Sequence, residues 1–201
     1  MKKYELLKDD TIEVAGKTLF RIKALISFKD IRKGEIGGYV EAERNLSQSG
    51  NAWVSGNAWV CDDACVTGNA WVCDDAWVSG NAWVCDDACV TGNACVTGNA
   101  RVSDNAWVSG NACVTGNAWV CDDAWVSGNA WVETSNDYIV FKNNWSSFRW
   151  FTYTKSNKMW RVGCFYGTGD ELIKEAYADS EESGRKYELY VNLVKELYRD
   201  E

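Results

Sequence analysis

The sequence predicts a mainly-β chain, with a long run of repeated short strands between a small β cap and a C-terminal α+β module that ends in two helices. Three observations predict it. From Asn51 to Thr134, fourteen six-residue phrases of the type N-A-W-V-S-G follow one another, with Ala always second and Val always fourth. Before them, apolar and polar residues alternate every second place; after Thr168 the apolar spacing becomes that of a helix. The chain accordingly divides into residues 1–44, 45–134 and 135–201.

The first segment reads as strand and turn. "TIEV" and "TLFRIKAL" flank Ala15-Gly16-Lys17, and Phe20, Ile22 and Ala24 alternate with Leu19, Arg21 and Lys23 as in a half-buried strand. In the repeats, a period of six with A-x-V-x alternation specifies strand, because a helix would scatter these positions around its circumference. Ala and Val therefore point inward and the third and fifth places outward. Gly, Asp or Asn at the sixth and first places is expected to supply left-handed corner conformations. In the last segment "DYIVF", "RWFTYT" and "MWRVGCFYG" read as strands. Thr168 and Glu171 then form a capping-box pattern ahead of Leu172, Ile173, Ala176 and Tyr177, and Tyr187, Tyr190, Val191, Val194 and Tyr198 make a second amphipathic stripe.

Written from its valine, the phrase V-S-G-N-A-W resembles the hexapeptide repeat of left-handed parallel β-helix proteins. That resemblance implies a triangular prism with three hexads to a coil, hence about five coils, and a trimeric assembly ahead of a dimeric one. The flanks "KGEIGGYVEAERNLS" and "GCFYGTGDELIKEAY" are similar to those of phage, prophage and bacterial hexapeptide-repeat proteins without an assigned activity. Stacking every third hexad writes three outward columns: Trp53, Trp71, Cys89, Trp107, Trp125; then Trp59, Trp77, Cys95, Cys113, Trp131; then Cys65, Trp83, Arg101, Trp119. Nine of the twelve tryptophans are thus expected outside.

Composition narrows function. Many proteins of the resembled family are acyltransferases with a histidine base or carbonic anhydrases with a three-histidine zinc, and this chain has no histidine. Residues 51–134 hold one basic and ten acidic side chains in a chain of net charge −8, a balance that repels polymeric nucleic acid. No apolar run reaches membrane-spanning length, so a cytoplasmic setting is expected, in the bacterial host if the chain is phage-encoded. There the nine cysteines are expected to stay thiols, including the stacked Cys95 and Cys113.

Two candidate sites follow from the columns. Arg101 between Trp83 and Trp119 suits cation-π packing, or a small nucleotide whose base meets an indole and whose phosphate meets the guanidinium. Asp86, Asp87, Asp104, Asp122 and Asp123 fall on one corner, where they form either a solvated ridge or an oxygen site for a divalent metal. No cofactor is expected. The leading expectation is a non-catalytic, self-associating scaffold or binding protein. Its alternative is a phage-type protein that sequesters a small nucleotide signal to counter host defence, and third stands an acyltransferase-like enzyme without the usual histidine. The inward assignment is testable at one coil: Ala88→Leu should cost about 1–3 kcal/mol by overpacking, while a larger residue at Cys89 should be tolerated in chemical denaturation. The opposite ranking would exchange inside and outside.

Overall fold

The structure is a computed structural model, and it describes residues 2–199. Fourteen two-residue strands, each an outward residue followed by its valine, run from Trp53–Val54 to Trp131–Val132. They stack in parallel into three sheets, and each column follows the register read from the sequence: Trp53, Trp71, Cys89, Trp107 and Trp125 on one face, Trp59 to Trp131 on the next, Cys65 to Trp119 on the third. About five coils result. The fourteen repeat valines are wholly buried, and the fourteen repeat alanines are at most 1 % exposed. The interior is therefore a column of small aliphatic groups closed by the backbone itself.

The corners depart from expectation in one respect. The sixth place is left-handed throughout the first thirteen hexads, from Gly56 (φ 64°) and Asp62 (φ 61°) to Gly128 (φ 68°). The first place is not. Its asparagines instead form ladders up the corners, as in Asn51 Nδ2 to Asn69 Oδ1 at 2.9 Å and Asn81 to Asn99 at 3.0 Å, because identical amides one coil apart can donate and accept in series. One left-handed residue is enough to turn the corner.

Parallel stacking sends the N–H groups of the first, third and fifth places toward the following coil, while most second-place N–H groups turn back within their own coil, as Ala58 N–H does to Ser55 O at 3.2 Å. Trp53 N–H reaches Ala70 O at 3.0 Å, Trp71 N–H reaches Ala88 O at 2.9 Å, and Trp107 N–H reaches Ala124 O at 2.8 Å. The first coil is consequently left with free carbonyls and the last with free N–H groups, and each would be costly to bury unpaired.

The N-terminal segment covers the carbonyl end with donors. Strands β1 (Tyr4–Val14), β2 (Lys17–Ala24) and β3 (Ile36–Val40) form an antiparallel sheet, and β3 then joins the Trp59 face in parallel. Gly38 permits this approach, since a Cβ there would lie 2.4 Å from Ala58 O. Tyr39 and Glu41 N–H groups donate to Ala58 and Val60 carbonyls at 2.9 and 3.0 Å. Elsewhere side chains do the same work: buried Lys3 Nζ donates to Ala52 O at 2.8 Å, Arg21 to Gly56 O at 3.1 Å, and Asn45 to Asp62 and Ala64 carbonyls at 3.0 and 2.9 Å. Leu19, on the strand face opposite Phe20, is buried against Tyr39 and Cys61, while Phe20 is half-buried. Both faces of β2 are used because its outer side folds over the solenoid's flank.

The opposite end is covered with acceptors. Trp119, Trp125 and Trp131 N–H groups donate to Ser135 Oγ, Thr152 Oγ1 and Ser156 Oγ at 3.1, 2.9 and 2.7 Å. Glu133 and Thr134 N–H groups donate to the Asp137 carboxylate at 2.9 and 2.7 Å. These acceptors belong to an antiparallel sheet of Tyr138–Lys142, Trp150–Thr154, Met159–Val162 and Phe165–Gly167, or to its approaches. Helices α1 (Gly169–Asp179) and α2 (Glu181–Leu197) pack on it around Phe151, Trp160, Leu172, Val191 and Val194. The expected capping box opens α1: Glu171 N–H donates to Thr168 Oγ1 at 3.3 Å, and Thr168 N–H donates to the Glu171 carboxylate at 2.8 Å. Among the described residues no helix is long and apolar enough to cross a membrane.

Thr152 is 1 % exposed, so Thr152→Val should strand the Trp125 N–H and cost about 1–3 kcal/mol in urea denaturation. Thr152→Ser should recover most of that loss. Equal stability of the valine and serine variants would contradict the capping role.

Candidate functional site

The solenoid's outer surface is built from the third and fifth places of the hexads. Residues at the third place stack straight up a face, while the fifth place of one coil lies diagonally beside the third place of the next. Indole N–H groups use that diagonal. Trp71 donates to Ser55 at 2.8 Å, Trp83 to Thr67 at 3.2 Å, Trp119 to Ser103 at 2.9 Å and Trp125 to Ser109 at 3.0 Å, each sixteen residues back. Arg101 follows the same rule, its Nη2 donating to Cys85 Sγ at 3.7 Å. The small hydroxyl residues of the fifth place are therefore anchors for the large residues of the third, a role the sequence shows only once the register is known.

On the third face the Arg101 guanidinium lies 5.0 Å from the Trp83 ring and 5.0 Å from the Trp119 ring. The predicted trio is assembled, with Trp83 and Trp119 still 46 % and 48 % exposed. The guanidinium covers the indole faces that look toward one another. A planar ligand would meet the outer faces and edges of the rings, not a slot between them.

The other columns are less open than nine outward indoles would suggest. Trp53 stands in its column but is 1 % exposed, because Tyr4 and Phe28 pack edge-on against it from the N-terminal segment. Trp59 stacks on Trp77 and Trp107 on Trp125, with ring centres 5.1 and 4.9 Å apart, the spacing imposed by adjacent strands. Arg161 of the C-terminal module continues the second stack, 3.8 Å above Trp125. Within the repeats Trp83, Trp107, Trp119 and Trp131 are the exposed indoles, and only the third face carries two of them.

The acidic corner does not gather its carboxylates. Asp86, Asp104 and Asp122 are left-handed, and each turns its carboxylate onto the residue before it: Cys85 Sγ–H at 3.1 Å, Ser103 Oγ–H at 2.8 Å and Cys121 Sγ–H at 3.2 Å. Asp87 accepts from Asn69 Nδ2 at 3.1 Å. Asp123 forms no part of a ligand cluster among the described residues, where only Glu41, Cys61 and Asp62 bring three ligand atoms within 4.8 Å of one another. That cluster already holds a cation, since Lys17 Nζ bonds both Asp62 and Glu41. The contact with Lys17 pulls the Asp62 carboxyl down to about 2, while burial beside Asp62 pushes the Cys61 thiol up to about 12. Lys17 occupies the position a metal would take, and a protonated thiol is a poor ligand.

Cys95 and Cys113 are joined as a disulfide, correcting the expectation of thiols. Parallel pairing sets their Cα atoms 4.7 Å apart with both side chains on one face. Two hollows on the C-terminal module were outside the sequence reading. One of about 660 Å³ is lined by Cys164, Tyr166, Glu171 and Lys174, and one of about 370 Å³ lies between Trp145, Tyr190, Leu189 and Leu193. Leu189, Leu193 and Leu197 form an exposed second stripe on α2, legible as a four-residue spacing beside the buried one.

Residues 106–122 match the family described as the YdcK β-solenoid repeat. The matched stretch contains one strand from each face, Trp107–Val108, Cys113–Val114 and Trp119–Val120. No curated protein matches the chain. Match and coils together make this a β-solenoid repeat protein.

Burial, then the neighbouring Asp86, push the Cys85 thiol from near 9 up to about 11, with Arg101 opposing. Between those values the unfolded chain binds fewer protons than the folded one, so this group's contribution is complete below pH 9 and lost as pH rises toward 11. The stability advantage of the unaltered protein over Cys85→Ser should therefore shrink across that interval in pH-dependent denaturation. Parallel profiles would contradict the assignment.

Proposed function

We propose that the chain is a non-catalytic β-solenoid scaffold that binds further copies of itself through the third face of the prism. The observation that carries this reading is the exposed pair Trp83 and Trp119, held by hydrogen bonds on either side of Arg101, the one basic residue of the repeats. Rigid aromatic groups lose little conformational freedom when covered, and contiguous exposed apolar area favours association. The repeats carry ten carboxylates against that single arginine, so the drive to associate is assigned to the aromatic area and not to charge. The donor-covered and acceptor-covered ends oppose end-to-end growth, which favours a closed assembly over a fibre. A trimer is the first choice and a dimer the second.

The absence of histidine and the raised pKa values of Cys61 and Cys85 support a role without acid-base or nucleophilic chemistry at these positions. A left-handed coil, a host-cytoplasm setting and an origin among phage and prophage repeat proteins belong to the same reading; they rest on the resemblance of the repeat and its flanks.

Light scattering at micromolar concentration tests the proposal. The unaltered chain should run as a closed multiple of 22.5 kDa, and joint Trp83→Ser and Trp119→Ser replacement should give monomers with an unchanged circular dichroism spectrum. A 22.5 kDa monomer from the unaltered chain would overturn it. If that monomer released an ultraviolet-absorbing compound on heating, and Arg101→Ala abolished its retention, the small-nucleotide alternative at Trp83, Arg101 and Trp119 would take its place.

A further inference from the structure

Cysteine occupies the outward third place at 65, 89, 95 and 113, and the fifth place at 61, 73, 85 and 121. The register lets cysteines on adjacent coils meet in two ways. Straight stacking, eighteen residues apart, joins Cys95 to Cys113. The diagonal, sixteen residues apart, is the path along which Trp71 reaches Ser55 and Arg101 reaches Cys85. Among the four third-place cysteines, only Cys89 has a cysteine, Cys73, at the far end of that diagonal.

Cys89 is thus the third-place neighbour of Cys73 along that diagonal, placed as Arg101 is beside Cys85. The Asp74 carboxylate is farther from Cys73 Sγ, at 3.8 Å, than the aspartates paired with Cys61, Cys85 and Cys121, and it is also bound by Thr91 and by Gly92 N–H. Cys73 and Cys89 are both partly open to solvent. The Cys89 thiol beside it draws the Cys73 thiol down to about 7, with burial and Asp74 opposing, while Cys89 is pushed well up. Cys73 is thus the member of the pair that ionises first.

We propose that Cys73 and Cys89 form a thiol–disulfide exchange site that reacts with small-molecule disulfides. The Cys73 thiolate attacks one sulfur of the disulfide R–S–S–R. That S–S bond breaks, a Cys73–S–S–R bond forms, and one RS⁻ departs. The Cys89 sulfur gives up its proton and attacks the Cys73 sulfur; the mixed disulfide breaks, a Cys73–Cys89 disulfide forms, and the second R–S group departs. One leaving group carries the Cys89 proton, and the two electrons lost by the cysteines reduce R–S–S–R to its two thiol fragments. Reactivity of this kind follows thiolate character and access, which the buried Cys61 and Cys85 lack.

Oxidised glutathione at neutral pH, followed by peptide mass mapping of the folded chain, tests this. The unaltered protein should gain a Cys73–Cys89 link and retain no glutathione there, with reaction about tenfold or more faster than at Cys61 or Cys85. Cys89→Ser should trap glutathione on Cys73, and Cys73→Ser should remove both the link and the adduct. Serine already holds the fifth place at 55, 79, 103, 109 and 127, so the coil accommodates it at 73, and circular dichroism checks both variants. Glutathione retained on Cys73 in the unaltered protein, or modification of exposed Cys164 with Cys73 spared, would overturn the proposal.

Discussion

A parallel stack has direction, and the rest of this structure depends on that. Each coil passes the N–H groups of its first, third and fifth places to carbonyls of the next, so a finite stack ends mainly in acceptors at one side and mainly in donors at the other, where carbonyls such as Trp119 O, bonded by Tyr138 Oη–H at 2.8 Å, are the minority. Neither end can be buried without partners of the opposite kind. The N-terminal segment brings backbone N–H groups together with Lys3, Arg21 and Asn45, and the C-terminal side brings the oxygens of Ser135, Asp137, Thr152 and Ser156. The excess of ten basic over eight acidic residues in residues 1–50 suits a segment that covers a carbonyl edge. The two caps are chemically different because the ends they cover are.

The same register organises the outer surface. Straight stacking puts like beside like every eighteen residues and yields the indole stacks, the Arg101 sandwich and the Cys95–Cys113 bond. The diagonal puts a large residue beside a small hydroxyl or thiol and fixes the indole N–H groups. Each such bond contributes about 0.5–1.5 kcal/mol, and a ring or cation stack about as much again. Individually these are modest. Repeated over five coils they supplement an interior of valine and alanine that buries little area per residue.

The strands and their inward and outward places were legible in the sequence because a period of six admits one inside and one outside, and the eighteen-residue coil implied by the resemblance to hexapeptide-repeat proteins then assigned every partner. The α1 capping box was legible from Thr168 and Glu171 for a similarly local reason. Other features depend on contacts distant in the chain. Trp53 carries the same phrase as Trp107, and only the arrival of Tyr4 and Phe28 buries it. The disulfide needs two side chains on one face, which the register supplied, and a bond whose formation depends on more than position. The acidic corner left two readings open, a solvated ridge and an oxygen site, because left-handed Asp and metal-binding Asp look alike in sequence. The discriminating signal was present: every sixth-place Asp follows Cys or Ser, and its carboxylate accepts from that neighbour.

If coils are interchangeable and the caps read only backbone polarity and face register, chain length should be quantised. Deleting residues 69–86 removes one whole coil and joins Gly68 to Asp87 with all three faces in phase. Deleting residues 69–74 removes one hexad and rotates every later strand by one face relative to the N-terminal cap. Thermal unfolding followed by circular dichroism tests the difference most directly. The account predicts a cooperative transition for the eighteen-residue deletion, close to that of the full chain, and loss of cooperative folding for the six-residue deletion. Equal tolerance of both deletions, or failure of the whole-coil deletion alone, would contradict it.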